Sequence, residues 1–564
     1  LFRARLSDAR ERVLRALDPH GGNRPAATES ENRPILGNAL PLQRGSWAAP
    51  PLIVGGPGVV PSYQQAQAPS PVANDLLDSP DAPLHPEIVA KAAELGFEYT
   101  RIVDFVRGSV RTEWYPGSQR GALGCLRARA GNDIDQSSLL IALLRASNVP
   151  ARYVWGVGRL SLSELEASLN LQGESAVFRA LNRALRSHRP VIQGGVVTGV
   201  ELEQTWVSAH LPFAHYRGSA ATQSGRIWIP LAPAVKPHQA RAATRILTTA
   251  GIDLDALAEE FLTSDPGVSP LERLQAQIHP HLASNPTLGS YADQLAMVRP
   301  NGTDLELLPA SLPFEVVSVQ GESAELPPAE AATLRITIRD QSREVLVADV
   351  SVLDASTQRL TLSFQPASAD DQNLLNSLGG GLSDVPPYLF RLRPRLSIGG
   401  SVRTVGEAVD AGKSIQVLVR LAVDGESRTI EQALVAGGMA TIQIDSGPPR
   451  PTEELSDEIP RDTEPPVSRV LGNLASRYAS DCRKDSAELA DLLGVRTIEP
   501  LPAVTLALTQ MDVAAVAGVP MQLRFNSVAI DAAARGIDAI SRGGDSLDER
   551  RWFALSALQC SYLE

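Results

Sequence analysis

The most constraining stretch of the chain begins at Asn132. Asn132-Asp133-Ile134-Asp135-Gln136-Ser137-Ser138 leads into Leu139-Leu140-Ile141-Ala142-Leu143-Leu144-Arg145-Ala146. The leucines and Ile141 leave this helix no broad polar side, and a helix that is apolar nearly all round is a central, buried one. Asn132, Asp133 and Asp135 stand where a helix N-terminus favours capping oxygens and negative charge. The domain around this segment must therefore wrap it on every side.

The helix and the Pro150-Ala151-Arg152-Tyr153-Val154 run after it resemble the core of the transglutaminase-like superfamily. There a nucleophilic Cys opens a buried helix with a Leu-Leu-Arg-Ala-like end, and such a strand follows. The resemblance covers residues 86–238. It implies a papain-like plan with a Cys-His-Asp triad: a thiolate favoured by the helix dipole, a His taking its proton, and an Asp orienting the His. Counting back from Arg145-Ala146 puts Asp133 at the Cys position. The His-x-Trp signature corresponds to Gln204-Thr205-Trp206, so Gln204 stands for the His. The Trp and Asp-Pro signature corresponds to Trp228-Ile229-Pro230-Leu231-Ala232-Pro233, so Ala232 stands for the Asp. A carboxylate attacks amides far less well than a thiolate, Gln204 cannot shuttle a proton near neutral pH, and Ala232 cannot orient a ring. The expectation is a domain with a vestigial triad at Asp133, Gln204 and Ala232, and no catalytic residue, cofactor or metal.

Other residues offer rescue chemistry, each with a plainer reading. Cys125 can be a displaced nucleophile, but a free Cys is more often a small buried residue. His210 and His215, just after Trp206, can form a pair with Asp133 around a metal, although their spacing on a Pro-containing loop matches no ligand pattern. His279 and His281 flank Pro280 and read as a surface turn. Asp133 and Asp135 can form an acid pair, or hold a hard cation with Asn132, where helix capping explains them as well.

The remainder organises by pattern. Residues 1–18 give an amphipathic helix and 19–85 a Pro/Gly-rich arm. Residues 86–240 are the transglutaminase-like domain, with a polar helical insertion from Ser161 to Ser187 and a hairpin at Gly194-Gly195. A helical region spans 241–311, and 312–446 alternates apolar and polar residues as antiparallel strands do, with Gly379-Gly380-Gly381 dividing it into two sandwich-like units. A Pro-rich acidic linker at 447–466 precedes a C-terminal α/β region at 467–564. The fold class is α+β: a papain-like, transglutaminase-like domain, then β-sandwich-like modules, then an α/β region.

A net charge of −12 disfavours nucleic-acid binding, which needs basic surface. No apolar run approaches the ~20 residues of a membrane-spanning helix. Cys125, Cys482 and Cys560 lie far apart and suggest neither a disulfide framework nor a zinc site. The start at Leu1 and the apolar close suggest a piece of a longer polypeptide, with signal-peptide removal one origin of such a start. The long region 310–564 is similar in architecture to accessory regions of large bacterial proteins, some of them like Rhs-type toxins.

Three functions follow from this. The first is a non-catalytic scaffold or interaction region of a larger bacterial protein, a toxin or surface assembly, secreted or at the cell surface, whose partner is a protein or another segment of the same polypeptide. A cytoplasmic location is the alternative. The second is a hydrolase or acyl transferase using Cys125 or an Asp133-centred site, and the third an adhesin-like binding protein acting through 312–446. The arm, with Leu36, Leu40, Leu42, Trp47, Leu52, Ile53 and Val54 as anchors, is expected to pack over the folded domains and cover the vestigial cleft.

Overall fold

A computed structural model describes residues 70–212, 226–240, 246–264, 267–295, 298–301, 308, 311–377, 389–423, 426–445, 466–498, 503–514, 522–534, 538–542 and 546–563. The N-terminal helix, the arm as far as residue 69 with its anchors, and most of the Pro-rich linker lie outside them. The fold is mixed α and β, and it divides into two compact units. The first is 1–328 with 482–501 and 536–564, and the second is 329–481 with 502–535.

In the first unit, helices α1 (Pro86–Glu94), α2 (Tyr99–Ser109) and α3 (Gly121–Ala128) surround α4 (Asp133–Ala146). Every residue of α4 from Asp133 to Arg145 is buried, as its pattern required. An antiparallel sheet covers it, built from β1 (Ala151–Ser161), β2 (His188–Gln193), β3 (Val196–Pro212), β4 (Arg226–Leu231) and β5 (Glu315–Ser323). β1 lies between β3 and β5, while β2 and β4 pair with the first and second halves of β3. Alternation along β3 separates two cores. Val207, Ala209 and Leu211 pack with α4, whereas Val200, Leu202 and Trp206 pack with α5 (Leu162–Leu169) and α6 (Glu174–Arg183). Gly194 and Gly195 join β2 to β3 with φ of 59° and 82°, a left-handed turn that side chains would strain.

The domain starts earlier than residue 86. Asp75 is fully buried and pairs with Arg152 through both oxygens, at 2.6 and 2.8 Å. Arg145 donates to the carbonyls of Asp75 and Leu77, and Asp81 accepts from the Tyr153 hydroxyl. The Asp75 and Leu77 contacts to Arg145 lie at the C-terminal end of α4, about 18 Å of helix from Asp133 at 1.5 Å per residue. The Tyr153 hydroxyl also bonds the Ser138 hydroxyl, and the Asp81 carbonyl accepts from the Ala122 amide, so the described part of the arm runs on along the middle of the helix.

The second unit holds two antiparallel sheets. One runs Arg343–Ser351, Thr333–Asp340, Ser414–Val423, Glu426–Val435. The other contains Ser401–Val405, Arg391–Ile398, Leu360–Pro366, Met439–Asp445, Ala503–Ala514 and Gln522–Ala534, with Val409–Asp410 beside Arg391–Ile398. Strands before Gly379 pair with strands after Gly381 in both sheets, so the glycines do not separate two modules. The expected C-terminal region is likewise divided: 503–514 and 522–534 complete a sheet of the second unit, and 482–498 and 538–563 belong to the first. β5, expected among the modules, pairs with β1. Strand pairing is a non-local choice that alternation alone does not encode.

The cysteines also depart from expectation. Cys482 and Cys560, 78 residues apart, form a disulfide between the helices Pro466–Leu493 and Ser546–Leu563. Sequence spacing carried no sign of it, because the two helices meet only in the folded chain.

Candidate functional site

The N-terminus of α4 is built around Asn132. Its side-chain oxygen accepts from the Asp135 amide at 2.8 Å, and its amide group donates to the carbonyls of Tyr115 and Gly117. Asn132 is therefore the cap, leaving Asp133 as the first helical residue. Asp135 has a different task. Its two oxygens accept from the hydroxyls of Tyr115 and Ser118 and from the amides of Gln119, Arg120 and Gly121. It holds the 115–121 loop against the helix, and burial pushes its carboxyl up against the pull of those donors. Asp133 and Asp135 thus have separate partners and do not form an acid pair.

Asp133 is buried at 6% exposure, and Arg186 at 4% meets it. Arg186 Nη1 and Nη2 each lie 3.1 Å from a different oxygen of Asp133. The Thr205 amide donates to the same carboxylate at 2.8 Å, and Arg186 also donates to the carbonyls of Tyr115 and Glu203. Arg186 arrives from the end of α6, three residues past Arg183. The insertion that looked like a polar excursion therefore supplies the cation facing the helix N-terminus. A lone arginine after a helix gives no sequence signal of such a role.

Gln204 shares this place. It lines one narrow void with Thr112, Trp114, Asp133, Arg186 and Val235, a space too small for a water molecule. Ala232 does not line the void; it packs with Trp114, Trp206 and Val235, of which the first and last do. The structure thus brings Asp133 and Gln204 together and sets Ala232 in the adjoining apolar cluster.

The rescue residues are elsewhere. Cys125 is fully buried beneath Gly131, where an added Cβ would meet its sulfur at 2.8 Å, and burial drives its thiol pKa well up. A buried, protonated thiol is a poor nucleophile. His210 lies tilted against Trp228, ring centres 5.2 Å apart, and sits six residues along β3 from Gln204, about 20 Å of strand. His215 lies outside the described residues. His279 sits against Tyr291 at 5.1 Å, and His279 and His281 both fall within one helix, Pro270–Ser284, not in a turn.

Beside the site runs a polar seam that the sequence reading missed. Lys236 is buried and donates to Gln136 Oε1 and to the Val106 carbonyl, both at 2.8 Å, and burial drives its pKa well down. His238 Nε2 accepts the Thr112 amide at 3.1 Å.

The profile of the Transglutaminase-like superfamily matches residues 83–191. This segment is a transglutaminase-like domain. The match includes α4, Asp133 and Arg186, while Gln204 and Ala232 lie beyond it. Comparison with curated proteins and with solved structures found no match.

Proposed function

We propose that the transglutaminase-like domain is non-catalytic and serves as a scaffold or interaction region. The observation that carries this reading is the Asp133–Arg186 pair. At the helix position where the family's nucleophile is expected stands a carboxylate, held by two guanidinium nitrogens and a backbone amide. Nucleophilic catalysis needs an activated nucleophile within reach of a base and room for a substrate carbonyl. Here the nucleophile position is engaged, Gln204 offers no base, and the space between them admits no water. Cys125, the other candidate, is buried and drawn toward its protonated form.

The proposed setting is a larger bacterial multidomain polypeptide, a toxin or surface assembly. What supports it is the order of parts, a transglutaminase-like domain accompanied by extensive antiparallel sheets. The catalytic claim is tested by incubating the chain with a glutamine-containing protein and a primary amine, and separately by assaying deamidation and peptide cleavage. The expected result is no turnover above buffer. Thiol-dependent turnover that disappears in Cys125→Ser would overturn the reading.

A further inference from the structure

The α5–α6 insertion, which brings Arg186 to Asp133, is fastened by a segment from the other end of the chain. Glu549, on the helix Ser546–Leu563, is 5% exposed. Its two oxygens accept from Arg179 Nη1 at 2.9 and 3.3 Å, and one of them accepts from Arg183 Nη2 at 3.3 Å. The other accepts from the Ser541 amide at 3.1 Å. Arg183 donates further to the Ala539 carbonyl, and the Gln172 amide donates to the Arg542 carbonyl at 3.1 Å. Ile540 is buried in one cluster with Val177, Phe178 and Leu181 of α6. All of these residues belong to the first unit, yet 538–549 lies far beyond the family-matched segment.

Both ends of α6 carry unusual backbone. Gly173, immediately before it, has φ of 88°, and Leu185, two residues after it, has φ of 55°. A left-handed leucine costs about 1–2 kcal/mol, and such strain persists only where surrounding contacts enforce it. Past this turn the Arg186 amide bonds back to the Leu181 carbonyl at 3.0 Å, and the side chain runs to Asp133. Arg179 and Arg183 thus tie one short helix to Glu549, while Arg186 closes over the N-terminus of α4.

We propose that α6 is a lid over the N-terminus of α4, with Arg186 as its plug and Glu549 as its latch. In the closed state Arg186 sits on Asp133. Releasing Glu549 frees Arg179 and Arg183, lets the turn at Leu185 relax and withdraws Arg186, which opens Asp133 and the Thr205 amide to solvent. Local opening of this kind is governed by the few contacts that fasten the segment and not by the stability of the whole fold. The C-terminal segment therefore controls access to the Asp133 pocket, and this holds independently of whether any chemistry takes place there.

Hydrogen exchange read by mass spectrometry on the full chain tests the latch. Glu549→Gln keeps the size of the side chain and removes its charge. It should speed exchange about tenfold in 174–186 and likewise in 131–136 and 203–206, with 139–145 unchanged. Asp255→Asn removes the Arg551–Asp255 pair of the same terminal helix, which involves no residue of α6, and should alter none of these segments. Exchange that rises only in 174–186, or rises alike throughout α4, overturns the lid. Should Glu549→Gln fail to fold, Arg179→Gln, which loosens the latch and keeps Arg183, decides by the same pattern.

Discussion

Arg186 grips Asp133 through both carboxylate oxygens at 3.1 Å, with each side chain under a tenth exposed. A buried ion pair is weak evidence for stability, because desolvation offsets the attraction, yet leaving one charge alone is costly. Asp133→Ala should therefore destabilise the first unit by about 3–5 kcal/mol. The double change Asp133→Leu with Arg186→Met should recover most of that loss. Urea unfolding of Asp133→Leu, Arg186→Met and the double variant measures the coupling, and additive losses would contradict it.

The Cys482–Cys560 bridge closes a loop across 78 residues of sequence. Such cross-links typically stabilise by about 2–4 kcal/mol, mainly through the unfolded chain. Thiol titration of the denatured chain should find one free thiol without reductant, Cys125, and three after reduction. Replacing both bridged cysteines by Ser should lower the melting midpoint, and three free thiols without reductant would rule the bridge out.

Residues 70–85 belong to the folded domain. A chain beginning at residue 86 loses Asp75 and Asp81, leaving buried Arg152 without its principal partner. It should be markedly more sensitive to proteolysis than one beginning at residue 70. Equal resistance would show the Asp75–Arg152 pair to be dispensable.

His238 should make the protein sensitive to acid. Burial, and then the charges of Arg496, Lys236 and Arg111, hold its pKa down to about 2 from an ordinary 6.5. The unfolded state therefore takes the proton first as pH falls. The contribution of neutral His238 is complete above about 6.5 and is lost progressively toward about 2, by up to about 1.4 kcal/mol per pH unit. His238→Gln keeps an acceptor for the Thr112 amide without titrating. Its urea midpoint should fall less steeply than that of the unaltered protein between pH 6 and 4 (roughly that window), and parallel curves would exclude this role.

Local pattern carried much of the fold. The run Leu139–Leu144 announced a buried helix, and Gly194-Gly195 announced the hairpin whose positive φ angles the structure shows. The helices of 246–294 and the alternating strands from 333 to 435 also follow their periodicity. Pairing partners did not follow. The strands 503–514 and 522–534 read as part of a separate terminal region, yet they extend a sheet begun at Leu360.

The site divides in the same way. The sequence by itself determined that Asp133 opens the central helix, because helix length, cap and apolar period are local properties read within one segment. It also placed Gln204 two residues before Trp206 on a strand, whereas the pairing of that strand with the one after the helix appears only in the fold. Only the tertiary structure decided what faces Asp133. Arg186 reaches it from 53 residues away, Thr205 from 72, and the resulting ion pair depends on the fold burying all three together. Charge complementarity across such distances has no period and no motif; it exists only once the sheet and the α5–α6 insertion have closed around the helix.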